Sequence, residues 1–243
     1  MAVSLDKLEA QAPGLVSLAK TANVSLQKRD LTGHTAKMAL ALDFSGSMRK
    51  LYQDGTVQRL AERVLALATR LDDDGAIDVF LFHSSAEYAG ELTLDNYQNG
   101  VDRLVEGRRM GTTNYAAVMR LIREHYKSPT VRRGLFRKEA QAAEFPAYVM
   151  FITDGNPDSK TEATRQLVAA SREGIFWQFM GVGREKFEYL HRLDSEVPGR
   201  LIDNANFFAA NDAGALSDEQ LFDLMLAEYP EWLPQARNRG LIH

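Results

Sequence analysis

The chain has 243 residues, 45% hydrophobic and 26% charged, with a formal net charge of −4 and a pI near 5.8. That balance fits one globular domain with short extensions and leaves no electrostatic footprint for nucleic acid. Cysteine is absent, which excludes disulfides, thiolate metal sites and a cysteine nucleophile.

Residues Met1 to Thr21 lack the basic start and apolar run of a signal peptide. No apolar stretch reaches the length needed to span a bilayer. A cytoplasmic protein with no membrane contact is therefore expected. Residues 1–35 form an N-terminal extension in which the pattern V-S-L-x-K occurs three times, at Val3–Lys7, Val16–Lys20 and Val24–Lys28. Such short repeats do not make a domain. They are expected to pack on the body as a short helix or as one or two edge strands, the alternative being a docking arm for another chain.

From Ala36 the chain alternates strand and helix patterns. Ala36 to Leu42 is a nearly continuous apolar run, as in a strand covered on both faces. Leu60, Val64, Leu67 and Leu71 recur at helical spacing. Ile77 to Phe82 reads as a second strand, and Glu87 to Leu94 as a third, antiparallel one after a tight connection. A short helix follows over Tyr97 to Val105, and Tyr115, Val118, Ile122 and Tyr126 mark one face of the next. Ala147 to Thr153 and Ile175 to Val182 are apolar strands that flank a helix from about Ser159 to Glu173. Asn206 to Ala209 makes the last strand. Ser217 and Gln220 form a capping box for a helix ending at Ala227, and residues 228–243, with two prolines, are expected to run over the surface, pinned to the body by Tyr229 and Trp232. The fold class is α/β: a Rossmann-like, mostly parallel sheet with one antiparallel edge strand and helices on both faces, spanning residues 36–227.

In such sheets ligands gather at the carboxyl ends of the strands. The strand ending at Leu42 runs into Asp43-Phe44-Ser45-Gly46-Ser47, so a carboxylate and two hydroxyls alternate in a tight loop at that edge. Asp154-Gly155 follows the Ala147 strand and places a second carboxylate there. Between them Gly111-Thr112-Thr113-Asn114 opens a helix, and one of its threonines adds a further oxygen. Hard oxygen donors of this kind suit Mg²⁺, Mn²⁺ or Ca²⁺ and not zinc or copper.

Asp43-x-Ser45-x-Ser47, the Gly-x-Thr step ending at Thr113, and Asp154 at a strand end resemble the metal-ion-dependent adhesion site of von Willebrand A domains. The resemblance spans roughly Ala36 to Ala227 in element order as well as in motif. It implies Asp43, Ser45, Ser47, Thr113 and Asp154 as ligands, with Thr112 as the other candidate hydroxyl because a threonine replaces the usual middle glycine of the step. Within that family the chain is most similar to bacterial tellurium-resistance, TerF-like proteins. The matching segments are Leu42–Met48, Gly111–Tyr115, Phe151–Gly155, Trp177–Phe179 and Glu228–Leu233, and the V-S-L-x-K stretches are similar to the start of TerD-like proteins. The resemblance implies a Mg²⁺-dependent protein-binding module of a bacterial tellurite or stress-resistance system. Its partner would offer an Asp or Glu to the metal, and other tellurium-resistance proteins are candidates.

Each piece has a plainer reading. A D-x-S-x-S segment can cap a helix, and Asp-Gly after a strand is usually a turn; their joint occurrence at two strand ends favours the site. Lys127 to Phe145, with five cations, is expected as a solvated connection at the amino edge, and a second contact face is its sharper alternative. Arg108 and Arg109 either ring the crest with positive charge or are simply exposed. The five histidines show no metalloprotease or triad spacing. A haloacid-dehalogenase-type phosphohydrolase needs a second Asp two residues after the first, where this chain has Ser45. A non-enzymatic protein is therefore expected, with a phosphohydrolase or a metal-stabilised scaffold as the alternatives.

Overall fold

A computed structural model describes residues 2–72, 74–127, 130–133, 137–140, 142–195, 197–210 and 215–243, with 130–133 and 137–140 as backbone only. Its strands are β1 (Lys37–Asp43), β2 (Ile77–Phe82), β3 (Ala86–Leu92), β4 (Thr130–Arg133), β5 (Arg137–Ala140), β6 (Ala147–Thr153), β7 (Ile175–Val182) and β8 (Ala205–Ala210). Six of them form one sheet in the order β3-β2-β1-β6-β7-β8, parallel except for β3. Every position of β6 and β7 is buried, which is why these strands read as unbroken apolar runs and not as alternation.

Helices α1 (Leu5–Gln11), α2 (Val16–Lys28), α3 (Arg49–Gln53), α4 (Thr56–Leu71), α5 (Gly100–Val105), α6 (Tyr115–His125), α7 (Lys160–Ala170), α8 (Glu188–Ser195), α9 (Asp218–Met225) and α10 (Tyr229–Asn238) flank the sheet. Alternate residues of each strand serve opposite layers. Met38, Leu40 and Leu42 of β1 join a core with α1, α2, α4, α9 and α10. Ala39 and Ala41 face the other core, built with α6, α7 and α8.

The N-terminal repeats fold as helices. Ser4 of the first repeat caps α1, its hydroxyl accepting from Lys7 N at 3.2 Å, and the other two lie on α2. Leu8, Leu15, Ala19, Ala22 and Leu26 are buried against the body. Ser217 and Gln220 form the expected reciprocal cap of α9.

Residues 228–243 contain a helix where a surface path was expected, and Tyr229 and Trp232 do hold it to the body. Tyr229, Trp232, Leu233 and Ala236 fall at positions i, i+3, i+4 and i+7 of α10, and all are buried. Pro230 sits in the first turn, where its missing N–H costs nothing; Pro234 lies inside the helix and forfeits a backbone hydrogen bond there, a loss set against the buried face. Within the basic connection after α6, β4 and β5 pair antiparallel, with Arg132 opposite Lys138 and Arg133 opposite Arg137. α8, with Tyr189, Leu190 and Leu193 buried, had no expected counterpart.

The two ends of the chain lie at the amino edge of the sheet. Val3 N donates to Thr69 O at 2.9 Å, near the end of α4. Ile242 bridges Ala143, four residues before β6.

Candidate metal centre

β1 and β6 are neighbours in register, Leu42 opposite Ile152, so Asp43 and Asp154 leave the sheet together at its carboxyl edge. Asp43 is completely buried. Its Oδ1 accepts from Ser45 N at 2.9 Å and its Oδ2 from Thr153 Oγ1 at 2.6 Å. Burial pushes this carboxyl up to about 6 and nearby Asp154 adds to the rise, while the Thr153 and Ser45 hydrogen bonds oppose it.

The chain then tightens into a 3₁₀ turn over Gly46–Met48. Ser45 Oγ and Ser47 Oγ come within 3.0 Å, and Ser47 Oγ donates to Asp154 Oδ1 at 2.8 Å. Ser45 is buried and Ser47 exposed, so this oxygen chain runs from the interior to the surface. Asp154 is raised mainly by burial, with Glu185 adding repulsion and the Ser47 bond opposing.

The threonine loop is stitched to this turn by backbone. Gly111 N donates to Phe44 O and Gly46 N to Gly111 O, each at 3.2 Å. A Cβ on Gly111 would lie 2.6 Å from Ser84 Oγ, so only glycine brings the loop this close. Thr112 and Thr113 are not equivalent. Thr112 Oγ1 donates to Asp158 Oδ2 at 2.6 Å and lies 3.2 Å from Ser84 Oγ. Thr113 is held by backbone, its N–H donating to Asp158 Oδ1 at 3.2 Å and its carbonyl accepting from Asp158 N at 2.8 Å. No described residue hydrogen-bonds the Thr113 hydroxyl. Asn114 then caps α6, accepting from Ala117 N at 3.1 Å.

All five residues singled out in the sequence, Asp43, Ser45, Ser47, Thr113 and Asp154, thus belong to one crest. Their support had not been identified. Thr153 braces Asp43, and buried Tyr115 lies 3.0 Å from Thr153 Oγ1 while donating to Gly155 O. Asp158 aligns both threonines, and Tyr52 OH donates to Asp43 O at 2.9 Å. Thr153 was findable as the strand residue facing Asp43 across the β1–β6 ladder, and Asp158 as the second acid of Asp154-Gly155-Asn156-Pro157-Asp158. Arg108 pairs with Glu87 at 3.0 Å, and Arg109 is exposed. Among the described residues no three His, Asp or Glu side chains gather as a metal site. A cation at the crest would therefore depend on two carboxylates and on hydroxyls, a hard oxygen set that fits a small divalent ion.

Comparison with known proteins agrees with this architecture. The chain is 34% identical over 225 residues to the uncharacterized protein YcbR of Bacillus subtilis (strain 168), covering 92% of this chain and 88% of YcbR. Proximal thread matrix protein 1 from the mussel byssus superposes with a TM-score of 0.54 at 15% identity, over 79% of this chain and 47% of that one. A structure of the same mussel protein with a zinc-occupied MIDAS motif gives a TM-score of 0.47 at 18% identity, over 80% and 46%. The chain spans less than half the length of these solved structures, and the likeness is one of fold. Residues 35–242 match the family described as vWA-TerF-like, the vWA found in the TerF C terminus. With most of its length inside that match, and its strand order and crest in agreement, the chain belongs to the TerF-like von Willebrand A family.

Proposed function

We propose that the crest binds a divalent cation and through it holds an Asp or Glu of a partner protein. The observation that carries this reading is the oxygen spacing, 3.0 Å between Ser45 Oγ and Ser47 Oγ and 2.8 Å between Ser47 Oγ and Asp154 Oδ1. These are hydrogen-bond separations, and they bring two hydroxyls and a carboxylate near enough to share one ion: neighbouring oxygens lie about 3 Å apart around octahedral Mg²⁺ or Mn²⁺, and a seven-coordinate Ca²⁺ accepts the same spacing. Ser47 gives its proton to Asp154 and keeps lone pairs for the ion. Thr113, with no hydrogen-bond partner for its hydroxyl among the described residues, is favoured over Thr112 as the third hydroxyl. Asp43 and Asp154 balance the double charge, and the cation offers an open position to a carboxylate, a charge-assisted contact stronger than a neutral hydrogen bond.

A binding module accounts for the crest better than an enzyme does, since Ser45 stands where a phosphohydrolase would need its acid. Membership of the TerF-like family supports a place in a bacterial tellurite or stress-resistance system, acting in the cytoplasm with other tellurium-resistance proteins as partners. No helix among the described residues is long and apolar enough to cross a membrane.

The test is calorimetric titration of Mg²⁺ and Mn²⁺ into metal-free wild type and Asp43→Ala, with circular dichroism on both. Saturable binding to wild type alone is expected, and equal binding to both proteins would refute the ligand set. A metal that raises thermal stability without altering capture of an acidic peptide would identify a scaffold instead.

A further inference from the structure

Beside the crest lies a cleft of about 420 Å³ that the metal reading does not use. Its walls come from Phe44, within the Asp43–Ser47 loop, from α3 just beyond that loop, and from the segment leading into the threonine loop. Phe44, Val105 and Met110 give it an apolar lining, with Phe44 set edge-on against Tyr52 at 5.3 Å. Arg49, Arg108 and Arg109 supply its charge. Arg108 is engaged by Glu87 at 3.0 Å. Arg49 and Arg109 are exposed and have no carboxylate partner among the described residues. No acidic side chain lines the cleft, although the chain as a whole is net negative. The opposite flank of the crest differs, since Asp154 there faces the charge of Glu185.

We infer that this cleft is the second half of the partner site and receives an acidic segment of the partner protein. One carboxylate of that segment goes to the crest and another, a few residues along, goes to Arg49 and Arg109. The inference rests on the crest reading and adds direction to it. An acidic stretch lies toward α3 and the α5–α6 connection, where its charge is matched, and not toward Glu185. The stems of the arginines and the apolar lining cover its backbone. Separating two carboxylates along an extended strand takes about 3.3 Å per residue, so a run of consecutive acids samples every spacing.

The probe is a fluorescently labelled octaglutamate peptide, compared by anisotropy with a Gly/Ser octapeptide carrying one glutamate, both in saturating Mg²⁺. Offering eight carboxylates to one ion gives octaglutamate a statistical gain of up to about eightfold; wild type is expected to exceed it, binding octaglutamate about a hundredfold more tightly, with an advantage that shrinks as salt rises. Arg49→Gln with Arg109→Gln is expected to reduce that advantage to its statistical part while leaving single-glutamate binding intact. Mg²⁺ affinity should be no weaker than in wild type, because cations near the ion have been removed. An advantage undiminished in the double variant overturns the inference, as does a wild-type advantage no greater than the statistical gain, absence of binding included. Failure of the crest reading gives a different pattern: the advantage survives EDTA and Ser47→Ala but disappears in the arginine variant.

Discussion

Asp43 is a carboxylate kept wholly from solvent, and burying a charge is costly unless something compensates it. Two hydrogen bonds compensate in part, yet the group remains raised to about 6. Asp43→Asn should therefore leave the metal-free protein as stable as wild type or more so at pH 7.5 by thermal melting, while abolishing any rise in Tm on adding Mg²⁺. Such an exchange of function for stability is common at sites held under electrostatic strain. Thr153→Val keeps the β-branched shape but removes the donor to Asp43 Oδ2. It is expected to cost about 1 kcal/mol in denaturant unfolding and to weaken Mg²⁺ binding in calorimetry. The crest residues stand out in the sequence because three of them fall within five residues and a fourth follows a strand. Thr153 and Asp158 carried signals that went unused, a ladder position opposite Asp43 and a second acid after Asp154, whereas the role of Tyr115 comes only from a bond to Gly155 O across 40 positions of chain.

Elements carry the geometry that these residues need. The threonine loop is held by the approach of Gly111 to Ser84, and Gly111→Ala forces a contact that real Cβ atoms do not make. That variant should stay folded by circular dichroism but lose roughly tenfold or more in Mg²⁺ affinity, since displacement by a fraction of an ångström spoils a preorganised ligand set. On the other side of the molecule, Leu8→Ala empties a fully buried position under α1 and should cost about 2–4 kcal/mol in chemical denaturation. A small effect there would show that α1 rests loosely on the body. Five strands of the main sheet could be read because buried parallel strands are mostly apolar runs, and the antiparallel, partly exposed β3 could be read from its tight connection to β2. The last helix was hidden by its prolines, although Tyr229, Trp232, Leu233 and Ala236 already carried the helical period. The β4–β5 hairpin was hidden for the opposite reason: its strands are charged where a sheet would normally be apolar, and no alternation marks them.

At the scale of the whole molecule, the amino edge has its own pH response. His34, hydrogen-bonded to Tyr229 OH at 2.9 Å, is lowered to about 4 by burial, with Arg237 adding repulsion. The unfolded chain takes up that proton near 6.5 and the folded chain only near 4, so this residue withdraws stability as pH falls from 6.5 to 4 and is neutral above 7. Glu228, raised to about 7, and Asp194, raised to about 6, both mainly by burial, work in the reverse sense, so the total slope is a sum. The informative quantity is the difference between His34→Gln and wild type. It should move in favour of the variant from pH 7 to pH 4 when unfolding is followed by fluorescence, and a constant difference would exclude His34 as the source.

The placement of both chain ends at the amino edge, with the crest at the opposite pole, has a mechanical meaning. A tether attached at either end leaves the crest facing outward, so the protein can be fixed to a surface or joined to another domain with its binding face unobstructed. Tension drawn between the two ends would act first on α1 and α10, the terminal helices. The loops carrying Asp43, Thr113 and Asp154 stand at the opposite edge of the sheet, outside that line of force.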